Sequence, residues 1–355
     1  MINIISPINQ LGYGIAGLNL VKSLAEKTEV SLFPIGQIEV KTQQDFDIIK
    51  RCVDKSTLPD FDSPCIRIWH QHDMSQFVGK GQHIAFPFFE LNKFSSLEKH
   101  HLNSVDSIFV TSSWAKEICL RELNHADDNI KVVPLGVDIN IFRPLEPNNV
   151  GKTIFFNCGK WEKRKGHDIL PEIFNTAFND DDDVELWMMN SNPFLDEEGN
   201  NKWKRLYIES NIGHKIRFID RLNTQQEVYN IMEKVDCGIF PSRAEGWNLE
   251  LLEMMSCGKS VITTNYSAHT EFCDKENAYL VNIETEEVAN DGVFFRGDIG
   301  DWAHIGQKQI KEFSDHMRHV YELKQKNMLQ GNSHGITTAK KFNWNYSAQK
   351  VILNV

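Results

Sequence analysis

Two glutamates, Glu245 and Glu253, frame the stretch of this sequence best suited to chemistry. Upstream, Cys237-Gly238-Ile239-Phe240-Pro241-Ser242 reads as a buried strand running into a turn. Downstream, Cys257-Gly258-Lys259-Ser260-Val261-Ile262-Thr263-Thr264 reads as a helix end, a turn and the next strand. Asn248 is the N-cap of a helix expected over 249–257, which Gly258 closes. Leu249, Leu251, Leu252, Met254 and Met255 cover most of that helix, which predicts burial. Glu245 stands just before the helix and Glu253 roughly 7 Å farther along, about one turn inside. A buried carboxylate needs a partner. The helix N-terminus between the two offers N–H groups and a positive dipole end to an anion. Carboxylate, anion site, carboxylate is an order that suits a sugar, a pyrophosphate and a ribose laid end to end. Taken alone, the pair is also what a loop residue and a salt-bridged helix face would give.

The rest of the chain must position these groups. Its 355 residues suffice for two domains, each with a full core. With 41% apolar and 25% charged residues and no apolar run of membrane length, the composition is that of a soluble protein. The start, Met1-Ile2-Asn3-Ile4-Ile5-Ser6-Pro7, lacks the basic head and long apolar core of a signal peptide, which predicts a cytoplasmic location. The seven cysteines form no CxxC pair, and several lie in expected strands or helices, as buried reduced thiols would. A net charge of −11 argues against a nucleic-acid partner and gives no general attraction to anionic membranes, while peripheral membrane contact stays open.

The first half opens with an expected strand at 2–6, a glycine loop, a helix at 15–26 and a strand at 30–34. Gly12-Tyr13-Gly14-Ile15-Ala16-Gly17 has the spacing of a dinucleotide fingerprint. Six residues separate it from its strand, however, and no acid follows Phe33-Pro34-Ile35-Gly36 to hold a ribose diol. Strands expected at 65–69, within 82–90 and at 107–114 alternate with helices as a parallel sheet requires. Ligands in such sheets sit beyond the carboxyl ends of strands, which gathers His70, His72, Glu90 and Ser112. His70, His72 and Asp73 share a face only if the chain stays extended, and no further ligand follows at useful spacing, so no metal site is expected.

The second half opens with a strand at 153–158 leading into Gly159-Lys160-Trp161-Glu162-Lys163-Arg164-Lys165-Gly166. Four cations in six residues are a solvated loop by composition; placed between a strand and a helix, they also suit a phosphate clamp. Strands at 184–189 and 215–219 and helices at 202–210 and 224–235 follow, with Asp220-Arg221-Leu222 after the second strand. The stretch 291–301 reads as a loop-rich insertion, and 341–355 as a helical tail.

The passage around Glu245 and Glu253 resembles the E-x7-E signature of retaining glycosyltransferases of the GT-B fold, family four (glycosyl transferases group 1). Ser242, Glu245, Gly246, Glu253, Cys257 and Gly258 fall in register. The stretch 130–138 with Phe142-Arg143-Pro144 resembles that family's exit from its first domain, with Leu135 where Asn is frequent. Gly159–Gly166 resembles G-R-x-x-x-x-K-G: Lys165 matches, whereas Lys160 keeps the charge and loses the fork of arginine, which Arg164 is the candidate to supply.

The resemblance implies an α/β protein with two Rossmann-like domains facing a cleft. Residues 1–147 would form the acceptor side, with the helix 342–355 folded back on it, and 148–341 the donor domain. It implies transfer of a hexose from a nucleotide-diphosphate sugar to a hydroxyl acceptor (a glycan, lipid-linked sugar or small molecule), with retention and without a metal or other cofactor. Lys160 and Lys165 would steady the leaving pyrophosphate, and Glu245 would hold sugar hydroxyls. Glu253 would take the ribose diol, and Gly246, Trp247, Asn248 and Leu249 the sugar or phosphate. Gly14, Arg164 and Arg221 complete the donor set. Gly12, His72 and Glu90 are the acceptor-side candidates, Phe89 or Glu90 standing where relatives usually carry a histidine. Two other classes stay open: a sugar-nucleotide epimerase or phosphorylase on this fold, and a non-catalytic sugar-nucleotide-binding protein.

Overall fold

Short apolar strands alternating with helices build two separate six-stranded parallel sheets. The computed structural model describes residues 1–147 and 149–355, which divide into Met1–Asp138 with Lys341–Val355, and Ile139–Lys340. The division falls ahead of the Pro- and Asn-rich stretch for a local reason. The Ser256 hydroxyl bonds Phe142 O at 2.5 Å and Leu145 N–H bonds Cys257 O at 3.0 Å, tying 142–145 to the second unit.

The first unit runs β1 (Ile2–Ser6), α1 (Gly12–Ala25), β2 (Val30–Pro34), α2 (Gln43–Lys55), β3 (Cys65–Arg67), β4 (His83–Ala85), α3 (Ser96–Leu102), β5 (Ser107–Val110), α4 (Ser113–Glu122) and β6 (Ile130–Val132). Strand order is β2-β1-β3-β4-β5-β6. Every residue of β1 and β5 is buried, as expected of a parallel sheet covered on both faces.

The second unit runs β7 (Thr153–Gly159), α5 (Leu170–Ala177), β8 (Val184–Asn190), α6 (Glu197–Ile208), β9 (Ile216–Phe218), α7 (Gln225–Met232), β10 (Cys237–Phe240), α8 (Leu249–Ser256), β11 (Ser260–Asn265), β12 (Tyr279–Asn282), β13 (Glu286–Asn290), β14 (Arg296–Ala303), α9 (Gln307–Gln325) and α10 (Ser333–Lys341). Its sheet order is β12-β11-β10-β7-β8-β9, and Phe155, Leu186 and Ile239 pack with Phe174, Phe313 and Met317 in its core. The stretch expected as a loop-rich insertion is instead part of an antiparallel hairpin, β13–β14. α11 (Trp344–Ile352) then packs on α1 in the first unit. Gly136 lets it close: a Cβ there would lie 2.4 Å from the backbone of Asn343 and Trp344.

One buried ion pair ties α9 to the second sheet. Lys324 Nζ donates to Asp236 Oδ2 and to Lys152 O, each at 2.7 Å, and both side chains of the pair are 1% exposed. Removing one partner of such a pair strands the other charge. Lys324→Met should therefore lower the free energy of urea unfolding by about 3–5 kcal/mol, and Lys324→Met with Asp236→Asn by less. Equal losses in the two variants would show that the pair is not what stabilises this junction.

Candidate functional site

The site in the second unit begins with backbone geometry. Gly159, at the end of β7, has φ +130°, and Gly166 has φ +74° with its Cα against Pro241; a Cβ on Gly166 would sit 2.0 Å from Pro241 O. That close approach zips the basic loop after β7 to the turn after its neighbour β10, and Arg243 N–H donates to Arg164 O at 2.6 Å.

Side chains of opposite charge then alternate across the seam. Lys160 Nζ lies 2.8 Å from Glu162 Oε1. Arg164 donates through Nη2 to Glu162 Oε2 at 2.7 Å and through Nη1 to Glu245 Oε2 at 2.8 Å and Ala244 O at 2.7 Å. Lys165 Nζ and Ser242 Oγ each donate to Glu245 Oε1 at 2.9 Å. Glu245 is 4% exposed; burial disfavours its charge, but Lys165 and Arg164 outweigh that and hold its pKa far below the ordinary carboxylate range. Burial likewise opposes the Lys165 ammonium, and Glu245 with Glu250 more than compensates, holding its pKa well above the usual lysine value. Arg164 is thus embedded between carboxylates, 5% exposed, rather than presented as an open fork; of the three cations in this ladder Lys160, 36% exposed, is the most open to water.

The helix N-terminus is built by Asn248. Its φ of +85° is left-handed, and its Oδ1 caps Leu251 N–H at 3.2 Å. The amide donates from Nδ2 to His269 Nε2 at 3.0 Å, which leaves the imidazole proton on Nδ1, toward Thr263 Oγ1 at 3.0 Å and Thr264 O at 3.2 Å. Burial, opposed by the Glu245 charge, lowers the His269 pKa to about 4. His167 is set the same way: Nδ1 accepts from Glu162 N–H at 3.1 Å, and burial and then Lys165 bring its pKa to about 3. Glu253 is 9% exposed, and among the described residues no hydrogen bond or ion pair reaches its carboxyl. Burial first, then the Glu250 charge, raise its pKa well above the ordinary value. Glu250 Oε1 and the Lys165 stem flank Gly159.

The structure brings together Lys160, Arg164, Lys165, Glu245, Gly246, Trp247, Asn248, Leu249 and Glu253 in one unit; Gly246 and Trp247 are buried, and Leu249 opens α8. Arg221 is exposed, just past β9. Gly12, Gly14, His72 and Glu90 lie in the other unit. Both glycines lie in the first turn of α1 rather than in the loop expected there: a Cβ on Gly14 would meet Asn9 at 2.2–2.6 Å, so that glycine lets the helix pack on the segment before it, while Gly12 opens onto free space. Phe89 is core, Ser112 caps α4, and the exposed His72 stacks on His70 at 5.3 Å. Tyr13, unmarked in the sequence, joins this group: it stacks on Phe88 at 4.5 Å and lies 4.7 Å from His70. Burial and then the Glu90 charge push its phenol far above the usual range. Glu162, Glu250 and His269 were also missed; only the i, i+3 spacing of Glu250 and Glu253 is a sequence signal for any of them. Among the described residues no group of three or more His, Cys, Asp or Glu is arranged to hold a metal ion, and no helix is long and apolar enough to cross a membrane.

Comparison with known proteins meets this geometry. Sucrose-phosphate synthase from Thermosynechococcus elongatus superimposes with a TM-score of 0.71 at 15% identity, over 99% of this chain and 97% of that one. The Anabaena protein HepE, solved in complex with UDP-glucose, gives 0.71 at 15% over 99% and 98%. These likenesses define the fold as GT-B. Residues 151–293, all within the second unit, match the family model described as glycosyl transferases group 1. The phosphatidylinositol N-acetylglucosaminyltransferase GPI3 subunit of Saccharomyces cerevisiae is 22% identical over 187 residues, 49% of this chain; the match spans 39% of that relative's own length.

The neutral histidines carry a pH signature. Unfolded His269 takes up a proton near pH 6.5, whereas the folded residue resists it down to about 4. Its contribution to stability is complete above pH 6.5 and declines as pH falls toward 4. His269→Gln should flatten the stability–pH curve between those values by up to about 1.4 kcal/mol per pH unit, measured by urea unfolding. Parallel curves for variant and parent would refute the assignment.

Proposed function

We propose that this chain is a retaining glycosyltransferase, moving a hexose from a nucleotide-diphosphate sugar to a hydroxyl acceptor without a metal. The observation that supports this best is the charge ladder Lys160–Glu162–Arg164–Glu245–Lys165 beside the N-terminus of α8, with the carboxyl of Glu253 buried on the same helix and without a partner among the described residues. On this reading Lys165, Lys160 and the first N–H groups of α8 neutralise charge that grows on the departing diphosphate, the role a cation would otherwise fill. Arg164 and Ser242 fix the Glu245 carboxylate, which accepts hydrogen bonds from sugar hydroxyls. Glu253 accepts both hydroxyls of the ribose. The leaving phosphate oxygen takes the acceptor proton on the face it vacates. The first unit, with Tyr13, His70, His72, Phe88 and Glu90, would receive the acceptor. The cytoplasm is the compartment we favour, because all seven cysteines are free and buried.

Donor turnover tests the reading. UDP-, GDP- and ADP-sugars would be incubated without acceptor or metal and nucleotide release measured, beginning with UDP-glucose and UDP-N-acetylglucosamine. One donor should be hydrolysed slowly. Lys165→Ala should reduce release by about 10²-fold or more. Glu253→Gln, which keeps one acceptor oxygen for two hydroxyls, should weaken donor binding about tenfold. An epimerase would convert its donor without any release. Silence with every donor, together with no donor-dependent thermal shift, would remove the transferase reading.

A further inference from the structure

The β13–β14 hairpin has no part in the roles assigned so far, and its tip carries Phe294, 47% exposed. Phe194, in the loop after β8, is 60% exposed, and the two rings meet edge to face at 6.3 Å. Rings left this open to water add little to the core. What they touch is a cation: Lys160 Nζ lies 5.3 Å from the Phe194 ring centroid and 5.8 Å from that of Phe294.

Both rings sit on braced backbone. At the hairpin tip the Asp291 Oδ1 atom accepts from the N–H groups of Val293, Phe294 and Phe295 at 2.8, 2.8 and 2.9 Å, and Asp291 N–H closes the turn on Phe295 O at 2.8 Å. Phe194 N–H donates to Asn192 Oδ1 at 3.0 Å; Asn192 is 1% exposed and bonds Trp161 O at 3.0 Å. The base of the hairpin is anchored to the site itself. Arg243 joins Glu287 at 3.1 Å and Asp168 at 2.7 Å, Ala303 N–H bonds Arg243 O at 3.0 Å, and Lys163 Nζ bonds Asn290 O at 2.9 Å. A strap tied at its base to Arg243, in the turn after β10, and nearer its tip to Lys163 of the basic loop thus delivers one aromatic ring to one lysine.

We propose that Phe294, together with Phe194, is a positioning residue for the Lys160 ammonium, steering it toward the terminal phosphate of a bound nucleoside diphosphate. The need for it follows from chemistry. A lysine is a point charge on a flexible stem, whereas a guanidinium fork orients itself. Here Glu162 draws the ammonium from one side and two ring faces hold it from the other, so its position is set by three fixed partners. This inference rests on the donor-site reading above.

The test is calorimetric binding of UDP, GDP and ADP, each compared with its own monophosphate, to the full chain and its variants. The tightest diphosphate should lose about two- to five-fold in affinity in Phe294→Leu, which keeps apolar bulk but removes the ring face, and more in Phe194→Leu/Phe294→Leu. Phe294→Tyr should restore it. Monophosphate affinity should not change, and in a Lys160→Met background Phe294→Leu should cost nothing further. If the parent binds a diphosphate and Phe294→Leu binds it equally well, or loses mono- and diphosphate affinity alike, the positioning role is overturned while the donor reading stands. If the parent binds no diphosphate at all, both are overturned.

Discussion

The candidate site depends on keeping the Glu245 carboxylate charged in a nearly dry setting. A buried carboxylate without compensation would take up a proton or open the structure to water. Arg164, Lys165 and Ser242 supply the compensation, and each is available only because another piece of backbone has been brought close. Gly166 permits the approach of the basic loop to Pro241, and Arg243 N–H fastens it. Two strand-end loops from adjacent strands thereby become one electrostatic unit. Lys160, Arg164 and Lys165 face Glu162, Glu245 and Glu250, so within this group cations and carboxylates are matched.

That arrangement separates two jobs that sequence alone runs together. Arg164 and Lys165 are neighbours of one type, yet Arg164 is enclosed by Glu162, Glu245 and a carbonyl, while Lys165 holds Glu245 by a single contact. The enclosed cation is a brace. Composition reports only that four positive charges are close together; which of them keeps a free face depends on Glu245, some eighty residues away.

Much of the architecture was legible because it is written locally. β1 and β2 begin and end where their apolar runs do, and α8 follows from Asn248 as cap and Gly258 as terminator. α6 starts earlier than its apolar pattern indicates because Asp196 caps it ahead of a polar first turn. The hairpin was not legible. Glu286–Asn290 and Arg296–Ala303 show no clear alternation of apolar and polar residues. Their order comes from Arg243, Glu287 and Trp302, a contact set assembled across the chain. The role of His269 was hidden for the same reason: only the fold shows that the histidine orients the Asn248 amide that caps the helix.

Glu253 has a consequence of a different kind. An acid whose pKa burial has raised keeps its proton where an ordinary glutamate has lost it. Hydroxyl donors that come to that carboxyl favour the ionised form, so filling the site would expel the proton. Ligand and proton then compete for one side chain, and the heat of binding would depend on the buffer that receives what Glu253 releases. Among the described residues no side chain shares the Glu253 carboxyl, so on the donor-site reading occupancy of the helix and the acidity of the solution would be coupled through it.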